Sequence, residues 1–535
     1  MKTMISSIIL ASCLALPLAS CSDSDVAPEQ KDWSTTTYFY SADAAMQDTY
    51  YKPTVGYVGD PMPFFDPVAG DFKVLYLQDF RPNPEGTYHP IWGVSTKDAA
   101  HYTSLGELVS CGTKKSQDAA IGTGSTIYDE ASKLYYTFYT GNKYLPTGDE
   151  SAQAVMVATS PDFKTWTKDR TFLLKGQDFG YDKNDFRDPF VFKGDDGKFH
   201  MLVSTKKSGK GSLAEFVSDD LKNWTDNGVF MTMMWDRFYE CPDLFKMGDY
   251  WYLVYSEIHH AVRRVQYFKG RTLDELKACT ANDAGIWPDA HEGFLDSRGL
   301  YAGKTASDGT NRYLWGWCPT RSGKDNTAVG ASPAEPEWGG NLVCYKLIQH
   351  EDGTLTLGQV DAVSEKYNQD VAVEVKESQN MTEADGTYTL AGNVEQPDAY
   401  MLMGRLGNHN KISFTVTTSN EWDKFGISMV RGSDSKKYYT MVVNPENENN
   451  RKVNFEEQGV EGKGFIAGID GYVFARPADN VYNVTIYTDN SICVMYINDV
   501  CSYTNRIYGI QKNCWSINSY NAANVKISNL KISQY

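Results

Sequence analysis

Between residues 71 and 318 the chain writes one pattern five times: a turn, then an aromatic-rich strand. The copies are DFKVLYLQ from Asp71, SKLYYTFY from Ser132, GKFHMLVS from Gly197, DYWYLVYS from Asp249 and NRYLWGWC from Asn311. Their starts lie 61, 65, 52 and 62 residues apart. A second element follows two copies, SPDFKTW from Ser160 and SDDLKNW from Ser218, with STKDAAH from Ser95 as a weaker third. Repeats of this period, each built of several short strands, are blades of a β-propeller, and five copies predict five blades. No amphipathic helix pattern interrupts the series.

One propeller does not use up 535 residues, so a second core is expected. After about residue 365 the pattern becomes alternating strands, such as KISFTVTTS, KYYTMVVN and NVKISNLKIS, separated by Asn, Asp and Gly turns. This reads as a β-sandwich. The expected fold class is therefore all-β: a five-bladed propeller over 46–365 and a C-terminal sandwich over 366–535. The Glu-, Gln- and Asn-rich stretch 366–385 is expected to be the joint. The 12 Trp, 35 Tyr and 24 Phe fit strand packing, with stacking on sugar faces as a further use.

The first 21 residues read as a leader rather than as fold. Behind Lys2 runs MISSIILASCLALPLAS, apolar but too short to span a bilayer as a mature helix. It ends in LASC, which resembles a bacterial lipobox with Cys21 as the acylated residue. The SDSD that follows opens a tether over 22–45 and resembles the acidic export signal of Bacteroidetes surface lipoproteins. The expectation is an exported lipoprotein held at the outer membrane by its lipid, on the cell surface, with the periplasmic face as the alternative.

A net charge of −17 argues against nucleic acid and anionic lipid as binding partners. The eight remaining cysteines form no CxxC pair, so no zinc site is expected, and most read as buried thiols. No cofactor and no metal are expected. The adjacent histidines of Ile258–His260 would point to opposite faces of a strand and read as structural.

Counting back from each repeated strand reaches the strand that lines the propeller's channel. There Asp60 stands in GDPMPFF, Asp188 in FRDPFVF and Glu240 in YECPDLF. The other two blades hold GTGSTIY and GLYAGKT at the matching places. A single Asp-Pro is usually a turn device. Three acids at one blade position converge on the axis, where like charges raise one another's pKa. One protonated and one ionised carboxyl are the apparatus of glycoside hydrolysis.

These motifs, with YTG (Tyr139–Gly141), WGW (Trp315–Trp317) and WGG (Trp338–Gly340), resemble glycoside hydrolase family 32, from about residue 50 to the end. The resemblance implies a retaining β-fructofuranosidase acting on fructan (levan or inulin) or sucrose. Asp60 would be the nucleophile, Glu240 the acid/base and Asp188 the transition-state stabiliser. Gln78, Trp92, Thr123, Arg187 and Asp296 match the family's sugar-binding positions. The chain departs from the family at the nucleophile, where Trp-Met-Asn-Asp-Pro-Asn-Gly becomes Tyr57, Val58, Gly59, Asp60, Pro61, Met62 and Pro63. The family's Pro-Arg-Glu stretch after WGG is replaced by LVCYKL. Two other readings remain: an inverting family 43-like arabinan or xylan hydrolase, and a surface fructan-binding lipoprotein without turnover.

Overall fold

The structure, a computed structural model, describes residues 49–535 apart from 81–87, 234–237, 258–263, 280–291, 322–335, 432–437, 446–451, 459–465, 468–471, 475 and 512. The leader with Cys21, the tether and Ile258–His260 lie outside the described residues.

Each repeated strand is the second of its blade and pairs antiparallel with the inner strand before it. The inner strands are Tyr57–Asp66 in blade I, Ala120–Asp129 in blade II, Phe186–Lys193 in blade III, Glu240–Met247 in blade IV and Tyr301–Ser307 in blade V. Each lies beside the next, and that of blade V returns to that of blade I, so the ring closes. At the seam Val58 pairs with Gly340, and the Leu342 N–H donates to the Tyr51 carbonyl at 2.8 Å.

The second repeated element is a side-chain-stapled turn. Asp162 Oδ1 accepts from the Lys164 and Thr165 N–H groups at 2.9 and 2.8 Å. Asp220 does the same for Lys222 and Asn223, and Asp98 for Ala100 and His101. Phe163, Leu221 and Ala99 take φ of 60°, 64° and 59° inside these turns. The weak sequence copy at Ser95 is thus a full structural one. A local carboxylate replaces the backbone partners that a tight turn lacks.

The sandwich is two antiparallel eight-stranded sheets. His409–Thr418 alternates intermediate and buried positions along its whole length, the period-two signature of a strand with one face on the core. Met401, Phe414, Ile427, Met441, Ile486 and Trp515 fill the space between the sheets. Gln369–Val371 already pairs with Asn524–Gln534, and Val375–Gln379 with Ala399–Arg405. The stretch 366–385 is therefore sandwich rather than joint, and the short helix Asp361–Lys366 precedes it. None of the eight cysteines is in a disulfide, and seven of them are buried.

Candidate active site

All five inner strands break ladder register at one level. The breaks fall between Gly59 and Met62, Gly122 and Gly124, Arg187 and Phe190, Glu240 and Asp243, and Tyr301 and Lys304. Asp60, Asp188, Cys241 and Ala302 sit in these breaks with φ of 27°, 58°, 51° and 52°. A bulge re-aims a side chain that a regular pleat would bury between blades. Left-handed backbone at Asp, Cys and Ala is strain that the surrounding sheet must hold.

This level corrects the register read from sequence. The residue equivalent to Asp60 and Asp188 in blade IV is Cys241, and Glu240 stands one place earlier, level with Gly59, Arg187 and Tyr301. Two tiers therefore meet in the channel. The bulge tier holds Asp60, Thr123, Asp188, Cys241 and Ala302; the tier before it holds Arg187, Glu240 and Tyr301.

Asp60 is gripped at both oxygens: Thr123 Oγ1 donates to Oδ2 at 2.7 Å and Trp317 Nε1 to Oδ1 at 3.0 Å. Burial raises its pKa; the Thr123 bond pulls it back, the Glu240 charge adds to the rise, and the Trp317 bond lowers it. Asp188 Oδ2 accepts the Cys241 N–H at 2.9 Å, and the Asp188 N–H donates to Thr140 Oγ1 at 2.8 Å. Burial pushes the Asp188 carboxyl up to about 7, against the pull of Arg187 and with help from Glu240 and Asp60.

Glu240 accepts from Arg187 Nη2 at 2.8 Å on one oxygen and from the Tyr301 hydroxyl on the other. Arg187 also bonds Asp185 at 2.7 Å, and its guanidinium lies 3.9 Å from the Phe238 ring. Burial alone would lower the Arg187 pKa, but the charges of Glu240 and Asp188 turn the net shift upward. Lys304, 2% exposed, gives its Nζ to the Gly124 carbonyl at 2.8 Å. Burial lowers its pKa, while Cys241, Asp243, Asp188 and Asp60 act in the opposite sense. The funnel is thus three acids with one cation in the upper tier and a second cation buried among the inner strands.

Of the eight site residues read from sequence, the structure brings five together: Asp60, Asp188, Glu240, Thr123 and Arg187. Gln78 is fully buried and turns its Nε2 to the Val55 carbonyl. Trp92 packs edge-on to Phe80 at 5.8 Å within blade I. Asp296 does not belong to this cluster. It lies at the domain joint, where Oδ1 accepts from the N–H groups of Ser297 and Thr504 at 2.5 and 2.7 Å. Its Oδ2 takes the Thr504 hydroxyl at 2.8 Å. Tyr301, Trp317 and Cys241 were not singled out from sequence, although YAG, WGW and ECP contain them. Their signal is the register with the other blades.

A five-bladed propeller with an acidic funnel and a sandwich fused behind it defines a class of two-domain carbohydrate-active scaffolds. Residues 50–360 match the model of the glycosyl hydrolases family 32 N-terminal domain, and 353–532 match that of the GH32, BT1760-like, C-terminal domain. The chain belongs to glycoside hydrolase family 32. It is 27% identical over 310 residues to the insoluble β-fructofuranosidase isoenzyme CWINV2 of Arabidopsis thaliana, covering 52% of this chain and 50% of that protein. A sucrose-6-phosphate hydrolase of Vibrio alginolyticus is 26% identical over 240 residues, 42% of this chain and 45% of the relative. The chain thus spans about half the length of the curated relatives it matches. The fold is shared with fructan 1-exohydrolase IIa from Cichorium intybus, with a TM-score of 0.68 at 16% identity over 91% of this chain and 97% of that one. Exo-inulinase from Aspergillus awamori gives 0.67 at 16% identity, over 91% and 98%.

Proposed function

We propose that the protein is a retaining glycoside hydrolase that cleaves β-fructofuranosidic bonds in fructans or sucrose. The observation that carries this reading is the unlike treatment of two neighbouring acids. Asp60 is immobilised by two neutral donors, whereas Glu240 is held by a cation and a phenol. A carboxylate fixed by Thr123 and Trp317 loses little entropy on attack, which suits a nucleophile. In the first step Asp60 bonds to the anomeric carbon as the glycosidic C–O bond breaks, and Glu240 gives its proton to the leaving oxygen. Arg187 and Tyr301 then stabilise the Glu240 carboxylate. In the second step that carboxylate takes a proton from water, whose oxygen displaces Asp60 and restores the starting configuration. Asp188 in its ionised form adds negative charge beside the oxocarbenium-like transition state.

Curated relatives named as a β-fructofuranosidase, sucrose-6-phosphate hydrolases and an invertase support the fructosyl class. Levan, inulin, sucrose and arabinan incubated with the protein and with Asp60→Ala test the reading. Fructose should be released only by the native chain, first as the β-anomer by NMR. Inversion, or release from arabinan alone, overturns it. Anchoring through Cys21 at the outer membrane belongs to the same proposal, and a Cys21→Ala chain should fail to incorporate labelled palmitate.

A further inference from the structure

A third tier follows the two that hold the acids. Just past the register breaks the inner strands carry Met62, Ser125, Phe190, Asp243 and Lys304. A bulge strips backbone groups at its level of their ladder partners, and a buried carbonyl must find another. In blade III the Pro189 carbonyl, next after Asp188, takes the Ser125 hydroxyl at 2.9 Å. In blade II the equivalent carbonyl, that of Gly124, takes Lys304 Nζ at 2.8 Å. The two donors differ in reach. Ser125 comes from the adjacent blade, whereas Lys304 comes from blade V, with the inner strand of blade I between it and blade II. Its Nζ also lies 5.3 Å from the centre of the Phe190 ring in blade III. The Lys304 side chain therefore crosses the channel beside the acids, and it is 2% exposed.

Asp243, the acid of this tier, accepts the Thr305 N–H at 2.6 Å, and the Arg312 charge offsets its burial more than Lys304 does. Among the described residues the one hydrogen bond of the Lys304 ammonium goes to Gly124. Gly124 follows Thr123, whose hydroxyl holds Asp60. Lys304 stands on the strand of Tyr301, whose hydroxyl holds Glu240. We propose that Lys304 is a positioning residue, a strut that fixes the support of the nucleophile against the support of the acid/base and so sets the separation of Asp60 and Glu240. This rests on the retaining-hydrolase reading above. A retaining pair works at about 5–5.5 Å, and a misplacement of about 1 Å costs about 100-fold in rate. An ammonium suits a strut, because a charge-assisted bond to a carbonyl is stronger than a neutral one.

The test is kinetics on sucrose and levan oligosaccharides for Lys304→Met, Lys304→Gln, Thr123→Val and the double variant of Lys304→Met with Thr123→Val, each with its urea midpoint. Lys304→Met keeps most of the side chain and removes the donor; it should cut kcat about 30-fold and change KM less than about 2-fold. Lys304→Gln restores a donor for the Gly124 carbonyl and should bring kcat back to within about 5-fold of native. Because the strut acts through Thr123, the double variant should lie within about 3-fold of Thr123→Val alone. A lysine that merely stabilises the fold would lower the urea midpoint and leave kcat alone. Native kcat in folded Lys304→Met, losses that multiply, or a Lys304→Gln no better than Lys304→Met overturns the proposal. Should Lys304→Met not fold, the cycle runs with Lys304→Gln in its place, and multiplied losses again overturn it. If the native chain turns over no fructoside, the hydrolase reading fails and the urea midpoints decide the strut. The two substitutions together should then destabilise by less than the sum of each alone, and additivity sinks it.

Discussion

Two buried acid clusters, one in the funnel and one at the domain joint, differ in how far their hydrogen bonds are completed. Asp188 and Asp296 are 4% and 0% exposed, both take left-handed backbone (φ 58° and 66°), and burial raises the pKa of both. Asp296 receives three hydrogen bonds from Ser297 and Thr504, and the Thr504 hydroxyl is in turn bonded to Tyr345. Asp188 receives one, from Cys241. Arg187 and Arg506 divide in the same way. Arg506, from the sandwich, gives its N–H groups to the carbonyls of Cys318 and Pro319, to Ser491 Oγ and to Asn341 Oδ1. Arg187 instead spends its charge on Glu240 and Asp185. A completed cluster fastens two domains; an incomplete one keeps capacity for a ligand. The difference separates structural from chemical acids where burial and backbone strain do not.

The largest expected effect is at the pocket. Asp60→Asn should lower kcat about 10⁴-fold or more, because the amide is no nucleophile. Its thermal midpoint should not fall, since a crowded like charge has been removed. A drop of several degrees would make Asp60 a structural acid after all. Next comes Asp188, whose value of about 7 stands against an ordinary 3.8. Between those values the folded chain keeps a proton that the unfolded chain has lost. Stability therefore declines as pH rises from about 4 to 7 and is level above that. At about 1.36 kcal/mol per unit the decline is bounded near 4 kcal/mol. Denaturant midpoints at three pH values should show that slope in the native chain and lose it in Asp188→Asn.

At the joint the balance reverses. Arg506→Met strips donors from two buried carbonyls and an amide oxygen, which should cost about 3 kcal/mol. The kcat should fall less than about 10-fold, because Arg506 makes no bond to the acids and reaches Asp60 only indirectly, through the strands that carry Trp317 and Asn341. A folded variant that loses far more activity would show the joint to be part of the catalytic frame.

Sequence made the blades legible because a turn-plus-strand unit repeats at every inner wall, and the acids could be found by counting back from it. The counting failed by one residue at Glu240, since a bulge shifts tiers without leaving a mark in the local pattern. Asp296 was misplaced for another reason: its partner Thr504 stands 208 residues further on, in a different domain. Gly59 looked like a deficit until Trp338, from blade V, proved to fill its space. What was legible is periodic or local. What was not is the pairing of distant strands, which sets whether an acid is finished or free.

The smallest effect separates shape from charge at the joint. Asp296→Asn keeps one acceptor for the Ser297 and Thr504 N–H groups and turns the other oxygen into a donor. Thr504 Oγ1 can accept from that donor if its own proton swings to the Tyr345 hydroxyl, already 2.6 Å away. The network then reverses with only the Tyr345 hydroxyl proton giving up its acceptor, and the substitution should cost about 1 kcal/mol. Asp296→Ala offers no such reversal and leaves buried N–H groups bare, costing about 3 kcal/mol. Thermal midpoints of the two variants should therefore differ, with kcat close to native in both. If Asp296→Asn unfolds the protein as readily as Asp296→Ala, then the negative charge itself fastens the domains, and the joint is electrostatic in the way the pocket is.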